Sequence, residues 1–200
     1  MKVEAFIFDI GNVLVRFDEQ RVRAVSSAHG TEAETLREVR ALAAPYERGE
    51  MSRDVFLERL GSLVAPGRAP EESARLWQEI FEPNLPMWEL VEKLHGEYPL
   101  YLLSNTNCLH HEYLVREYAV FEKFSDGVFS YQAKMMKPER EIFELAIRQF
   151  GVRPEATIYL DDLAANVEAA RGAGLRAFLY DPETHDDCLA VLRAQGVQCV

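Results

Sequence analysis

The sequence has few cysteines, no long apolar run and no secretory signal. Its three cysteines, Cys108, Cys188 and Cys199, are odd in number and lack C-x-x-C spacing, so they predict reduced thiols rather than disulfides or a zinc site. No stretch reaches the roughly 18 apolar residues that a membrane-spanning helix needs, and the first residues run directly into an apolar strand. We therefore expect a cytoplasmic protein without a membrane partner.

The sequence also has fewer basic residues than acidic ones. The chain has 22 Lys and Arg residues against 33 Asp and Glu residues, which gives a formal net charge of -11 at pH 7. Because such a surface repels phosphate backbones, we expect no nucleic-acid partner. A content of 48% hydrophobic residues in 200 residues is enough for one sizeable buried core. We take the protein to be a monomer or a weak homodimer.

Short apolar runs recur along the chain and alternate with helical patterns. They cover residues 3–8, 100–103, 128–129, 157–160 and 177–180. Runs that are apolar on both faces are typical of parallel strands covered by helices on each side. Helical patterns over 139–150 and 163–173 separate the later runs. The sequence therefore predicts the α/β class, with a doubly wound, Rossmann-like parallel sheet.

The first two apolar runs are about ninety residues apart, which is far longer than an ordinary crossover connection. The intervening pattern is helical at 31–44, 52–63, 71–81 and 86–94. Thr31 and Glu34 have the spacing of a capping box at the start of the first of these helices. We therefore predict an all-helical subdomain over residues 16–95, inserted into an α/β core made of residues 1–15 and 96–200.

Polar residues follow several of the predicted strands. Ligands of doubly wound folds bind beyond the carboxyl ends of the strands, so we expect these residues to meet at one edge. Taken singly, each has an ordinary interpretation as a turn, loop or surface residue. Two adjacent carboxylates are harder to explain, because they repel each other unless a cation lies between them. The residues that follow strands are Asp9, Ser104 with Asn105, and the pair Asp161 and Asp162, and Lys137 stands ahead of a predicted helix.

In this order, these clusters resemble the four motifs of the haloacid dehalogenase superfamily of aspartate-nucleophile hydrolases, and the helical insertion resembles the cap of its subfamily I. The resemblance covers the whole chain. Among its branches, the sequence is similar to bacterial phosphatases acting on α-D-glucose 1-phosphate, which share the Phe-Asp-x-Gly-Asn-Val opening, the Leu-Ser-Asn-Thr-Asn second motif and a similar cap segment at Glu47 to Glu50. The motifs are Asp9 to Leu14, Ser104-Asn105, Lys137-Pro138, and Asp161-Asp162 with Asn166.

The resemblance implies an Mg²⁺-dependent phosphatase that hydrolyses a small phosphomonoester, such as a sugar phosphate, through an aspartyl-phosphate intermediate. It implies that Asp9 is the nucleophile, that Ser104 donates a hydrogen bond to the phosphoryl group, and that Lys137 holds Asp9 ionised. The implied Mg²⁺ ligands are Asp9, the Gly11 carbonyl, Asp162 and Asp161, with Asp162 favoured over Asp161 as the direct ligand. The substrate-binding candidates are Gly11, Asn12, Asn105, Asn107, Tyr46, Glu47 and Arg48.

Gly11 departs from the family pattern, because most phosphatases of this family carry a second aspartate there as general acid and base. The simplest interpretation is a leaving group that needs little protonation, such as a sugar that leaves from its anomeric carbon. This hypothesis agrees with the glucose 1-phosphate resemblance, but it leaves the base for dephosphorylation unexplained.

Three alternatives remain at this stage. A 2-haloacid dehalogenase would use the same aspartate to attack carbon; Gly11 favours it, but Asp161-Asp162 opposes it because that reaction needs no metal. A phospho-receiver signalling module uses similar residues, but its acidic pair follows the first strand, which is the opposite order. A catalytically weakened binding protein of the same family is consistent with Gly11 and with Asn166, which replaces a second acid of the fourth motif.

Overall fold

The computed structural model describes residues 2–18, 20–22, 32–64, 66–67 and 69–200. Its centre is a five-stranded sheet of order β5-β4-β1-β6-β7, in which every neighbouring pair is parallel. The predicted doubly wound parallel sheet is therefore confirmed. In chain order the strands are β1 (Ala5–Phe8), β2 (Val15–Phe17), β3 (Phe81–Pro83), β4 (Leu100–Ser104), β5 (Asp126–Phe129), β6 (Thr157–Asp161) and β7 (Arg176–Leu179).

Helices cover both faces of this sheet. In chain order those described are α1 (Glu32–Glu47), α2 (Arg53–Val64), α3 (Pro70–Gln78), α4 (Leu85–Leu94), α5 (Cys108–Glu117), α6 (Ser130–Ala133), α7 (Arg140–Phe150), α8 (Ala164–Gly172) and α9 (His185–Ala194). None of the described helices is long and apolar enough to cross a membrane. Helix α7 begins at Arg140, two residues after Pro138, where the sequence places its start, because Lys137 and Pro138 form a turn that precedes it.

The two faces explain why the strands are apolar throughout. Consecutive residues of a strand point to opposite sides, so Phe6 and Phe8 of β1 join one buried cluster while Ile7 joins the other. In β6, Tyr159 and its neighbour Leu160 divide in the same way. Helices α7 and α8 cover the Ile7 face, and α4, α5 and α9 cover the other face.

Helices α1 to α3 lie in the long insertion between the first two strands of the large sheet, where the sequence predicts helices. The insertion begins and ends with β2 and β3, which pair antiparallel and place Phe17 opposite Phe81. This ribbon was not predicted, because strands of three residues are too short to show a periodic pattern. The predicted capping residue, Thr31, lies outside the described residues.

Helix α4, which the sequence analysis assigned to the insertion, makes contacts with the core. The Trp88 indole donates to the Leu14 carbonyl at 2.7 Å, and Asn84, just before the helix, donates to the Val13 carbonyl at 2.6 Å and to the Tyr180 hydroxyl at 2.9 Å. These contacts favour an interpretation in which the cap ends near β3 and α4 belongs to the core. The boundaries at residues 16 and 95 stay a prediction.

Candidate active site

The site lies at the carboxyl edge of the three central strands. Asp9 directly follows β1, Ser104 is the last residue of β4, and Asp161 is the last residue of β6. Strand β1 lies between β4 and β6, and the pairing of Phe8 with Leu160 places Asp9 beside Asp161. The parallel sheet therefore brings together three polar residues that are far apart in the sequence.

Lys137 joins these strand ends from the segment between α6 and α7. Its Nζ lies 2.8 Å from Asp9 Oδ1 and 2.7 Å from Asp161 Oδ2, and it donates to the Leu103 carbonyl at 3.0 Å. The side chain is 1% exposed. Burial by itself would lower the pKa of Lys137, but the two carboxylates outweigh burial and raise it. The lysine is therefore a fixed cation between two aspartates.

Asn105 holds Lys137 in place through the backbone. Its Oδ1 accepts from Lys137 N at 2.8 Å, and its Nδ2 donates to the Lys137 carbonyl at 2.9 Å. Both the oxygen and the nitrogen of the side-chain amide are thus hydrogen-bonded to Lys137, although Asn105 also lines the cavity described below. Its substrate-binding role stays a prediction, whereas the contacts show a positioning function.

Asp161 is fully buried and surrounded by hydrogen-bond donors. Besides Lys137 it accepts from the Tyr159 hydroxyl, from Leu163 N at 2.8 Å and from Asn166 Nδ2 at 3.0 and 3.1 Å. Burial would raise the pKa of Asp161, but the charge of Lys137 and these hydrogen bonds outweigh burial and lower it. An asparagine at position 166 can donate to this carboxylate, which an aspartate could not do.

Asp162 has a different environment from its neighbour. It is half-buried, and its Oδ2 accepts from Asn12 Nδ2 at 2.9 Å. Asn12 has a φ of 51°, a left-handed conformation that asparagine tolerates better than most residues. Burial raises the pKa of Asp162, and the charge of Asp161 adds to the effect. Asn12, predicted to bind substrate, therefore contacts Asp162 directly.

Three carboxylates and one ammonium group make this cluster electrically unbalanced. One oxygen each of Asp9, Asp161 and Asp162 lies within 4.8 Å of the others. Burial raises the pKa of Asp9 to about 6, with Lys137 opposing the shift and Asp161 adding to it. A divalent cation would neutralise the two excess negative charges, and an all-oxygen donor set suits a hard ion such as Mg²⁺. The residues present therefore fit the predicted metal site.

A cavity of about 580 Å³ lies between this edge of the sheet and the inserted helices. Its core side includes Gly11, Ser104, Asn105 and Thr106, so it opens directly onto the candidate site. The opposite wall belongs to α1 and is mostly apolar. That wall consists of Leu36, Val39, Arg40, Ala43 and Glu47, and further lining comes from Trp77, Ile80, Phe81, His110 and Leu114.

Of the three cap residues predicted to bind substrate, the structure brings Glu47 to this cavity. Tyr46 packs inside the cap, where its ring stacks on Phe56 at 4.1 Å and its hydroxyl lies 2.9 Å from Cys108 Sγ. Arg48 forms an ion pair with Glu139. The substrate-binding roles of Tyr46 and Arg48 stay predictions, and their contacts do not favour them.

Asn107 also has a structural partner. It is fully buried and caps α5, because its Oδ1 accepts from His110 N at 3.0 Å. The His110 ring is held between Asn107 Nδ2 at 3.1 Å and the Trp77 carbonyl at 2.9 Å, and burial lowers the pKa of His110 to about 4. An asparagine just before a helix is a standard capping signal that predicts this contact.

The turn after α1 is anchored to the core by residues that the sequence analysis missed. Ser130 is buried; its hydroxyl donates to the Glu47 carbonyl at 2.6 Å and accepts from Thr106 N at 2.9 Å. Gly49 has a φ of 72°, and a Cβ there would lie 2.2 Å from the Tyr131 carbonyl oxygen. No sequence motif marks the contacts of Glu47 and Gly49, because they join segments more than eighty residues apart.

We expect Gly49→Ala to lower the free energy of unfolding by about 2 to 4 kcal/mol, because left-handed strain and a backbone clash add. Gly67→Ala is the matched control, since Gly67 has a φ of 80° but no atom within 4 Å of its added Cβ. It should cost about 1 kcal/mol from strain alone. Urea unfolding of both variants measures the difference, and equal losses would contradict the close contact with Tyr131.

Comparison with known proteins finds relatives along almost the whole chain. Residues 3–174 match the model of a hydrolase family described as haloacid dehalogenase-like hydrolase. A D-ribitol-5-phosphate phosphatase of Bacteroides thetaiotaomicron is 29% identical, over 92% of this chain and 94% of its own. A phosphorylated carbohydrates phosphatase of Thermotoga maritima is 28% identical, over 99% and 94%.

Solved structures show the same fold. A haloacid dehalogenase family enzyme of Bacteroides thetaiotaomicron superposes with a TM-score of 0.83 at 22% identity, over 95% of this chain and 99% of its own. Its wild-type complex with magnesium and inorganic phosphate superposes with a TM-score of 0.77, over 90% and 95%.

Proposed function

The chain belongs to the haloacid dehalogenase-like hydrolases, and on this premise we propose that it is an Mg²⁺-dependent phosphatase acting on a small phosphomonoester. The observation that carries the proposal is the cluster at the sheet edge, where Lys137 bridges Asp9 and Asp161 while Asp162 lies alongside. Phosphatases among the relatives, and magnesium with phosphate in a solved structure of the same fold, support the same assignment.

Each residue of the cluster has a chemical task in this proposal. An oxygen of Asp9 attacks phosphorus, the bond from phosphorus to the ester oxygen breaks, and water later cleaves the aspartyl-phosphate. Ser104 donates a hydrogen bond to a phosphoryl oxygen, and Lys137 holds Asp9 Oδ1 and favours its ionised form. When bound, Mg²⁺ supplies positive charge that polarises the phosphoryl group.

In this proposal, two of the three carboxylates bind the metal and the third holds Lys137. Asp9 and Asp162 would hold Mg²⁺ together with the Gly11 carbonyl, and Asn12 orients Asp162 through its 2.9 Å hydrogen bond. Asp161 directs its oxygens to protein donors and fixes Lys137. This division agrees with the preference for Asp162 over Asp161 as the direct ligand.

A phosphorylated sugar or polyol is the first candidate substrate. Two relatives are named for phosphorylated carbohydrates or D-ribitol 5-phosphate, and α-D-glucose 1-phosphate follows from the sequence resemblance and from Gly11. The cavity favours a second class, phosphate esters of apolar alcohols, because side chains such as Leu36, Val39 and Ile80 line it.

A phosphatase screen with and without Mg²⁺ tests the proposal. We expect EDTA to lower turnover of p-nitrophenyl phosphate at least about 100-fold and added Mg²⁺ to restore it, since the cluster needs a divalent cation. α-D-Glucose 1-phosphate should outpace glucose 6-phosphate, and prenyl or alkyl phosphates test the apolar class. Release of halide from 2-chloropropionate that persists in EDTA would instead establish the dehalogenase alternative.

A further inference from the structure

Phosphatase chemistry at Asp9 needs a proton donor and acceptor that position 11 does not supply. Even with an activated leaving group, the water that cleaves the aspartyl-phosphate must lose a proton to a base. Gly11 has no side chain to take it, so another group beside the cavity has to act. The described residues that line the cavity include one carboxyl group, that of Glu47.

Glu47 lies on the cap side of the cavity. It lines the same cavity as Gly11 and Ser104. No hydrogen bond or ion pair of its carboxyl group is present among the described residues. Arg48, the nearest cation along the chain, is committed to Glu139. The carboxyl group is therefore available to a molecule in the cavity.

The backbone around Glu47 is held in place. Its carbonyl accepts from Ser130 Oγ at 2.6 Å, and Gly49 packs against the Tyr131 carbonyl two residues later. Three contacts, counting the Arg48–Glu139 ion pair, thus fix the turn on the core. A group that transfers protons has to be positioned in advance, and this turn provides such positioning.

We propose that Glu47 is the general acid and base of the reaction, performing from the cap the task that residue 11 performs in related phosphatases. This inference rests on the proposed phosphatase function. In the first step the Glu47 carboxyl gives its proton to the ester oxygen as the phosphorus–oxygen bond breaks. In the second, the Glu47 carboxylate takes a proton from water as that water bonds to phosphorus and the bond from phosphorus to Asp9 breaks. The Glu47 carboxyl group is thus protonated again at the end of the cycle, as it was at the start.

The electrostatic environment suits both steps. Burial raises the pKa of Glu47 to about 7, so protonated and ionised forms are both accessible near neutral pH. Lys137 lies between Asp9 and Asp161, and Arg53 pairs with Glu112. Helices α2 and α6 pack against α1, and their titratable and charged groups are Arg53, Asp54, Glu58, Arg59 and Tyr131. Those on α1 itself and in the turn after it are Glu32, Glu34, Arg37, Glu38, Arg40, Tyr46, Arg48 and Glu50, and His110 lines the same cavity.

The test is Glu47→Gln with p-nitrophenyl phosphate and Mg²⁺, because nitrophenolate leaves without a proton and isolates the second step. We expect a burst of about one nitrophenolate per active site, followed by steady turnover about 10² to 10⁴-fold slower than that of the wild type. Intact mass after acid quenching should show a protein one phosphoryl group heavier. Wild-type kcat should rise with pH through about 7, because the base must be ionised, and this limb should be absent in the variant.

Glu50→Gln is the matched control, since Glu50 is exposed in the same turn, and it should leave kcat unchanged. A Glu47→Gln variant with unchanged kcat, or with only a raised KM and no phosphoprotein, would overturn the acid–base role and leave a substrate contact. Glu47→Asp, which keeps an acid, should recover part of the turnover. If the wild type neither turns over nor becomes phosphorylated with Mg²⁺, the phosphatase proposal itself fails.

Discussion

Asp9→Asn is expected to abolish phosphatase turnover, lowering kcat at least about 10⁴-fold with every phosphomonoester. The amide that replaces the carboxylate is a poor nucleophile, and the lost charge weakens the divalent-cation site that Asp9 would share with Asp162. Steady-state assays over a range of enzyme concentrations measure the loss. Intact mass after acid quenching should show no phosphorylated protein.

The fold of this variant should be retained. Lys137 keeps Asp161 as a partner at 2.7 Å, and removing one of three clustered carboxylates relieves repulsion. We therefore expect the unfolding midpoint in EDTA to be no lower than that of the wild type, and the increase produced by Mg²⁺ to be smaller. The exposed Asp186→Asn serves as control and should keep full activity. Substantial turnover in Asp9→Asn would exclude Asp9 as nucleophile and favour another reaction.

Lys137→Met is expected to damage both stability and activity. Without the ammonium group, the buried carboxylates of Asp9 and Asp161 face each other uncompensated, which should cost about 3 to 5 kcal/mol in EDTA at neutral pH. Turnover should fall about 10² to 10⁴-fold, because the fixed cation beside the nucleophile is lost. Thermal unfolding and phosphatase assays measure the two effects.

Mg²⁺ should rescue part of the lost stability in Lys137→Met. With the lysine gone, the three carboxylates carry a larger excess of negative charge, so a divalent cation should raise the unfolding midpoint more than it does in the wild type. Lys93→Met removes an exposed lysine and should leave both measurements unchanged. Similar losses in the two variants would show that the Lys137 contacts carry little energy.

Much of the fold follows from local patterns. The apolar runs that end at Phe8, Leu103 and Leu160 predict strands buried on both faces, and such strands occur in parallel sheets covered by helices. The polar residues at the ends of these runs had to share one edge, since parallel strands all end on the same side. The convergence of Asp9, Ser104 and Asp161 is therefore foreseeable, because it depends on strand direction alone, whereas Lys137 reaches the site from the segment between α6 and α7.

The contacts that individual side chains make near the site could not be predicted in the same way. Asn105, Asn107 and Tyr46 were all expected to contact substrate, and that role stays a prediction. The structure adds a protein partner for each, since Asn105 holds Lys137, Asn107 caps α5 and Tyr46 packs on Phe56. Each of these side chains could serve either purpose. Which one it serves depends on whether a partner lies within about 3 Å, and sequence does not record that distance.

The sequence by itself determined the class of fold, the helical insertion and the set of charged residues that meet at the sheet edge. Only the tertiary structure decided that Asp161 holds Lys137, that Asn12 orients Asp162, and that Glu47 lines the cavity while Arg48 turns to Glu139. The physical reason is the separation along the sequence of the residues that interact. Strand and helix patterns come from neighbouring residues, whereas a side chain's partner comes from any segment that packing brings alongside it.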